Sequence, residues 1–206
     1  MIDHKLEHIV ITDAIQQEVE QYNIPGGWNA NAPCVTSFKE ELKKKLLENQ
    51  NGRCAYCGLP LESRNPEIDH IAPKGGKQRP YYPECTFLPI NLVYACHHCN
   101  SSGCKGQTNT VKSKNGTTDY KQWTFNLVHP YLDDPSEYFE HDDANGILSL
   151  PKRDAIKEKK EKALYTIALF GLDSEPILTE LAKDVFAKQH PKEMMDLVTK
   201  ISTYIP

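Results

Sequence analysis

No apolar run in this sequence approaches the roughly 20 residues of a membrane-spanning helix, so no helical membrane span is expected. Its opening stretch, Met1-Ile-Asp-His-Lys-Leu-Glu-His8, lacks the basic-then-apolar order of a signal peptide. A cytoplasmic location with reduced thiols is the expectation. An even cysteine count is also missing. Seven cysteines argue against a disulfide framework. Net basic charge is absent too: 24 Lys and Arg stand against 28 Asp and Glu, a formal −4. That excludes a uniformly basic nucleic-acid binder. Neither an internal repeat nor a long low-complexity tract is present. At 206 residues, one domain with elaborations is favoured over two equal ones.

Charge is unevenly placed. Residues 51–130 carry 9 basic against 5 acidic side chains, and the flanks carry 15 against 23. A mildly basic centre sits between acidic arms. The chain divides accordingly into a helical arm at 1–50, a core at 51–130 and a helical region at 131–206.

Periodicity sketches the elements. Ile15, Val19 and Tyr22 suit a short helix ending before Pro25, and Trp28 suits a packed loop. Phe38, Leu42 and Leu46 recur every four residues, the stripe of an amphipathic helix. Ser37 and Glu40 have capping-box spacing at its start, and Asn51-Gly52 marks its end. Ile68 and Ile71 flank Asp69-His70 on a short strand, and residues 92–95 suit a second. A helix is expected within or just after Cys96–Cys99. The Ser/Gly/Asn/Lys-rich tract 101–121 reads as polar and mobile. Residues 133–143 hold six acids and no base. Asn145-Gly146 marks a hairpin turn before residues 147–150. Ile156, Ala163, Ile167 and Phe170 stripe one C-terminal helix. Ser174 caps a second with Leu178, Leu181 and Val185, and Pro191 separates a third with Met194, Val198 and Ile201.

The chemistry concentrates between Cys54 and Lys105. Cys54-Ala-Tyr-Cys57 and Cys96-His-His-Cys99 are two Cys-x-x-Cys knuckles with 38 residues between them. Two such pairs suit one tetrahedral zinc, with His97 or His98 as a substitute ligand. Such a site adds folding free energy directly, which suits short strands and long loops. Between the knuckles lie Asp69 and His70. A neutral imidazole can take a proton from water near neutral pH. A neighbouring carboxylate can hold a hard divalent cation. Adjacent strand residues face opposite ways, so serving one site requires a strand end or a distortion. Asn91 follows His70 by 21 residues, and Asn100 follows Asn91 by 9.

The string Ile68-Asp-His-Ile71, Pro73, Gly75-Gly76, Asn91-Leu92, Cys96-x-x-Cys99-Asn100 resembles the HNH endonuclease motif, a ββα-metal finger. The resemblance covers about 50 residues and implies an α+β fold with a zinc-stapled ββα-metal core. It makes His70 the general base and Asn91 the residue that fixes the His70 loop. Asp69 and Asn100 become ligands of a catalytic metal. Asn100 stands where a second histidine is usual, the pattern of the HNN variant. An all-oxygen protein donor set favours Mg²⁺ or Mn²⁺. Lys105 offers a point charge for a substrate phosphate, although the family's lysine usually comes slightly earlier.

A wider resemblance, from about residue 38 to 185, is similar to the PtuB-like HNH subunit of Septu-type and retron-associated antiphage systems. It rests on Leu46-Leu-Glu-Asn-Gln50, Gly52-Arg-Cys-Ala-Tyr-Cys57, His129-Pro-Tyr-Leu-Asp-Asp-Pro135, Gly146-Ile147 and Ala163-Leu-Tyr-Thr-Ile-Ala-Leu-Phe-Gly-Leu-Asp173. It implies metal-dependent cleavage of nucleic acid, DNA first, in antiviral defence beside an ABC-type ATPase; the acidic run and the C-terminal helices, which add little grip on nucleic acid, are the expected docking surface for such a partner. Two alternatives stand beside it. One is a free-standing HNH nuclease, acting on DNA or RNA. The other is a zinc-dependent nucleic-acid-binding adaptor without catalysis.

Overall fold

The computed structural model describes residues 4–79, 81–142 and 146–202. Two helices open it, α1 (Asp13–Glu20) and α2 (Pro33–Asn49). Pro33 brings the fixed φ that a first helical turn needs and loses no hydrogen bond there. Helix α2 therefore begins before Ser37, and the expected capping box at Ser37 and Glu40 falls inside it. Val35, Phe38, Leu42 and Leu46 are buried along one face. They pack with Ile9, Ile11, Val19, Phe87 and Leu92. Asn51 and Gly52 end the helix with φ of 51° and 67°. The Gly52 N–H donates back to Leu47 O at 2.9 Å, closing the terminus.

Strands β1 (Glu67–His70) and β2 (Leu92–Ala95) pair antiparallel, with His70 opposite Leu92 and Glu67 opposite Ala95. A single helical turn, α3 (His97–Asn100), follows β2 and contacts β1. Gln50 fastens α2 to this hairpin. Its buried amide accepts from Tyr94 N at 2.8 Å and donates to Tyr94 O at 2.7 Å.

The tract 101–121 departs from the mobile loop that its composition suggests. It contains β3 (Val111–Ser113), paired with β4 (Thr124–Phe125). Lys105, Thr110 and Tyr120 anchor it as buried polar side chains, and Thr110 donates to Ile71 O at 2.5 Å. These three side chains, with buried Val111, tie down a segment whose remaining residues are mostly polar.

The acidic run is likewise used internally. Asp133 accepts from His129 N and from Tyr138 OH, and pairs with Lys162. Glu137 meets Lys159, and Glu140 accepts from Arg153 N. β5 (Phe139–Asp142) pairs with β6 (Gly146–Pro151), while Asn145 of the expected turn lies outside the described residues.

Three helices close the chain: α4 (Lys157–Phe170), α5 (Glu175–Gln189) and α6 (Pro191–Ser202). Ala163, Ile167 and Phe170 are buried as the stripe requires. Ile156 is not part of it: it precedes the first turn and is exposed. Ser174 stands at the α5 cap position without a side-chain cap bond. Leu178 and Val198 are exposed, and the Ile201 side chain lies outside the described residues. The C-terminal helices lean on the first knuckle. Phe170 stacks on Tyr56 at 4.2 Å, and Arg53 and Arg64 pair with Asp184 and Glu180 of α5. The class is mixed α+β. Among the described residues no helix is long and apolar enough to cross a membrane.

Candidate metal centre and cleft

Cys54 and Cys57 sit in the turn after α2, and Cys96 and Cys99 bracket the start of α3. The β1–β2 hairpin brings the two turns together. All four sulfurs are buried and lie within 4.8 Å of one another. The Cys57 and Cys96 sulfurs are 3.9 Å apart. A tetrahedron with Zn–S bonds of about 2.3 Å has sulfurs about 3.8 Å apart. The donor set therefore fits a structural zinc in identity, number and spacing. Cys96 N donates to Cys54 Sγ at 3.4 Å, a backbone bond of the kind that orients a thiolate. Burial pushes the Cys54 thiol up, so its ionised form here needs a positive charge beside it, which a dication among the four sulfurs would supply. His97 and His98 are exposed and fall outside this group. His97 faces Glu67 at 3.6 Å, and His98 Nε2 lies 3.4 Å from Cys104 Sγ.

One face of the hairpin opens onto a cleft of about 320 Å³. Asp69, His70, Asn100, Lys105 and Lys74 line it. His70 is the last residue of β1, so Asp69 and His70 reach one cleft from a strand end. Asn91 does not line it. It sits behind, fully buried, and uses its whole amide. Its Oδ1 accepts from Ala72 N at 2.7 Å and from Tyr120 OH at 2.7 Å. Its Nδ2 donates to Ala72 O at 3.1 Å and Cys85 O at 3.0 Å. Asn91 thereby holds the backbone two residues beyond His70.

His70 is buried and bonds Thr86 O through Nε2 at 3.0 Å. A carbonyl only accepts, so Nε2 carries the proton and Nδ1 keeps its lone pair. Among the described residues nothing donates to Nδ1. Burial, then the charge of Lys74, holds the imidazole well below its usual pKa, hence neutral. Trp28 packs edge-on against the ring at 4.7 Å, and Phe87 backs Trp28 at 5.4 Å.

Asp69 is more heavily engaged than its motif suggests. Tyr56 OH donates to Oδ2 at 2.5 Å, and Lys105 Nζ lies 3.0 Å from both carboxylate oxygens. Lys105 also donates to His70 O at 2.7 Å, and its side chain has no exposed area. Asn100 donates through Nδ2 to Glu67 Oε2 at 2.6 Å, which leaves its Oδ1 to accept. Asp69 and Asn100 therefore offer oxygen donors of the type a hard cation takes, two from protein. Among the described residues the four cysteines form the only larger cluster of metal-binding side chains.

The sequence alone assigns no role at this site to Tyr56, Trp28, Tyr120, His129 or Lys74. Tyr56 lies inside the first knuckle, where the cysteines draw attention. Trp28 reads as packing and is packing, but against His70. Tyr120 carries no motif, and His129 opens the His129–Pro135 string of the wider resemblance without a role at the site; long-range pairing brings both to Asn91. Lys74 stands beside the Pro73–Gly75 turn, a position readable as a loop next to the cleft.

No family model matches the chain. It is 44% identical over 62 residues to the CRISPR-associated endonuclease Cas9 of Corynebacterium diphtheriae, covering 30% of this chain and 5% of that protein. It is 33% identical over 103 residues to Protein ea31 of Escherichia phage lambda, covering 50% and 27%. To the Septu protein PtuB of Bacillus thuringiensis it is 31% identical over 104 residues, covering 50% and 33%. The matches thus span a third or less of each of these relatives.

Proposed function

We propose that this chain is a zinc-stapled HNH endonuclease of the HNN variant that hydrolyses nucleic-acid phosphodiester bonds, with DNA as the first substrate to test. Its likeness to Cas9 and PtuB points to a nuclease of defence systems at a coarse level. One observation carries the finer reading. His70 is a buried, neutral imidazole whose Nδ1 has no hydrogen bond among the described residues, and it lines the cleft together with Asp69 and Asn100. A free, unprotonated ring nitrogen is what a general base needs. The strand–strand–helical turn at 67–100, with four cysteines at its base, supports a ββα-metal finger.

In this mechanism His70 Nδ1 takes the proton of the attacking water. Thr86 O keeps the tautomer, and Asn91 keeps the loop. Asp69 and Asn100 would hold Mg²⁺ or Mn²⁺, and a metal bound there would supply charge neutralisation at the phosphate and at the leaving oxygen. Cys54, Cys57, Cys96 and Cys99 would hold zinc for structure. A protein partner belongs to the reading: an ABC-type ATPase docked on the helical region, in an antiphage system of Septu or retron type in the cytoplasm. Exposed Phe186, Met195, Leu197 and Val198 on α5 and α6 support such docking. Co-purification with a neighbouring ATPase checks it.

A second reading is favoured by Asp69. Its carboxylate already has a buried ammonium and a phenol, as in a finger that binds nucleic acid without cutting. Plasmid nicking separates the two. Wild-type protein with Mn²⁺ should nick, and His70→Ala should lose at least about a hundredfold in rate, the usual share of a general base, with zinc content unchanged. No cleavage with any divalent metal, by protein that carries its zinc and binds nucleic acid, would favour the adaptor.

A further inference from the structure

The cleft holds two lysines, and their surroundings differ. Lys105 is wholly buried, and its ammonium is committed to the Asp69 carboxylate and to His70 O. It cannot touch a ligand without abandoning both. Lys74 is half-buried on the cleft wall, and among the described residues no carboxylate pairs with it and no acceptor bonds it. Its backbone is fixed. Tyr81 N donates to Lys74 O at 3.2 Å, Tyr82 N donates to Pro73 O at 3.1 Å, and Gly75 turns the chain with φ of 71°.

We propose that Lys74 is the side chain that grips a backbone phosphate of the nucleic acid in this cleft, while Lys105 serves as the internal counter-ion of Asp69. The inference rests on the nuclease reading and extends it to substrate contact. A half-buried ammonium without a partner is costly to keep, and an anion arriving in the cleft offsets that cost. Burial and the charge of Lys105 already depress Lys74, although Asp69 opposes this. A phosphodiester is the anion whose hydrolysis the neighbouring His70 would serve by taking the proton of the attacking water. Lys74 also sits at the turn following His70, so a phosphate held there stays close to the imidazole.

The test uses the full-length chain carrying His70→Ala, zinc-loaded and without added divalent metal, so that nothing is cut. Binding of fluorescent DNA and RNA duplexes is followed by anisotropy across a salt series. Adding Lys74→Met should weaken binding several-fold at low salt. It should also flatten the log–log salt slope by about 0.9 on DNA, the signature of one phosphate contact. Lys74→Arg should keep the parent slope. Melting temperature supplies the second readout. Lys74→Met should melt at or above the parent, because no native partner is lost. Lys105→Met should melt several degrees lower, because Asp69 loses its counter-ion. A folded Lys74→Met chain with the parent slope overturns the proposal, as does a marked fall in its melting temperature. If the parent binds neither duplex, the nucleic-acid reading itself fails. Whether DNA or RNA binds more tightly identifies the polymer.

Discussion

Asn91 draws on a longer chain of buried groups than its motif contains. Tyr120 OH donates to Asn91 Oδ1, and His129 Nε2 lies 3.1 Å from that phenol. His129 Nδ1 accepts from Tyr131 N and Leu132 N, so Nε2 bears the proton and the direction runs from His129 through Tyr120 to Asn91. Tyr120→Phe leaves a buried imidazole N–H unpaired and should cost about 1–3 kcal/mol in urea unfolding. It should also slow cleavage through the His70 loop; unchanged stability would mean that water replaces the phenol. His129 adds a pH dependence. Burial, then Lys162, depresses it well below its usual value. The unfolded chain takes a proton below about pH 6.5 that the folded chain refuses. The stability contribution is thus complete above about 6.5 and is lost as pH falls toward the folded pKa, by at most about 1.4 kcal/mol per pH unit. Denaturation at pH 7.5, 6 and 5 checks this, and a flat profile would contradict it. Of this network the sequence marks Asn91 and, within the His129–Pro135 string, His129; the link between them is not legible, because Tyr120 stands in polar sequence and only the fold joins the three.

At the scale of elements, the legible parts are those with a local signature. The knuckle spacing anticipates the four-sulfur cluster, because a tetrahedral ion demands two close pairs. The period of Phe38, Leu42 and Leu46 anticipates the buried face of α2, because that face is continuous. The start of α2 was misplaced, since Pro33 outweighs a capping pair four residues on. Segment 101–121 was misjudged because Lys105 and Thr110 are bonded to β1 and the residues just after it, not to neighbours in sequence. The cysteines give the sharpest test at this scale. With β1–β2 only four residues per strand, an ion bound by the four sulfurs would carry much of the local stability. Cys57→Ser or Cys96→Ser should abolish zinc retention and the cooperative unfolding transition. Cys34→Ser, outside the cluster, should leave one zinc per chain. Folded protein without zinc by elemental analysis would refute the site.

For the whole molecule, the question is whether the helical region is an accessory or part of the core. Charge and spacing suggest a boundary near residue 131, with the helices free to serve a partner. Packing argues that α4 at least is structural. Ala163, Ile167, Phe170, Leu172 and Ile177 are buried in the same cluster as all four knuckle cysteines. Phe170 covers Tyr56, whose hydroxyl holds Asp69, so α4 reaches the cleft through one intervening ring. Thr166 Oγ1 accepts from the buried Val128 N at 2.8 Å, so losing α4 takes the partner from that backbone donor. Fully burying a large apolar side chain is worth about 1.5–3 kcal/mol. Exposing the partners of Ile167, Phe170, Leu172 and Ile177 together therefore approaches the entire stability of a typical domain, about 5–15 kcal/mol. A chain ending at residue 156 should lose its sharp thermal transition and its zinc. One ending at residue 190, which removes α6 and keeps α4 and α5 with their bonds to Arg53 and Arg64, should keep both. Calorimetry with zinc quantitation on the two truncations decides it. A cooperative, zinc-loaded 1–156 chain would show that the metal-stapled core stands without its helices, and would return α4 to the role of a docking arm.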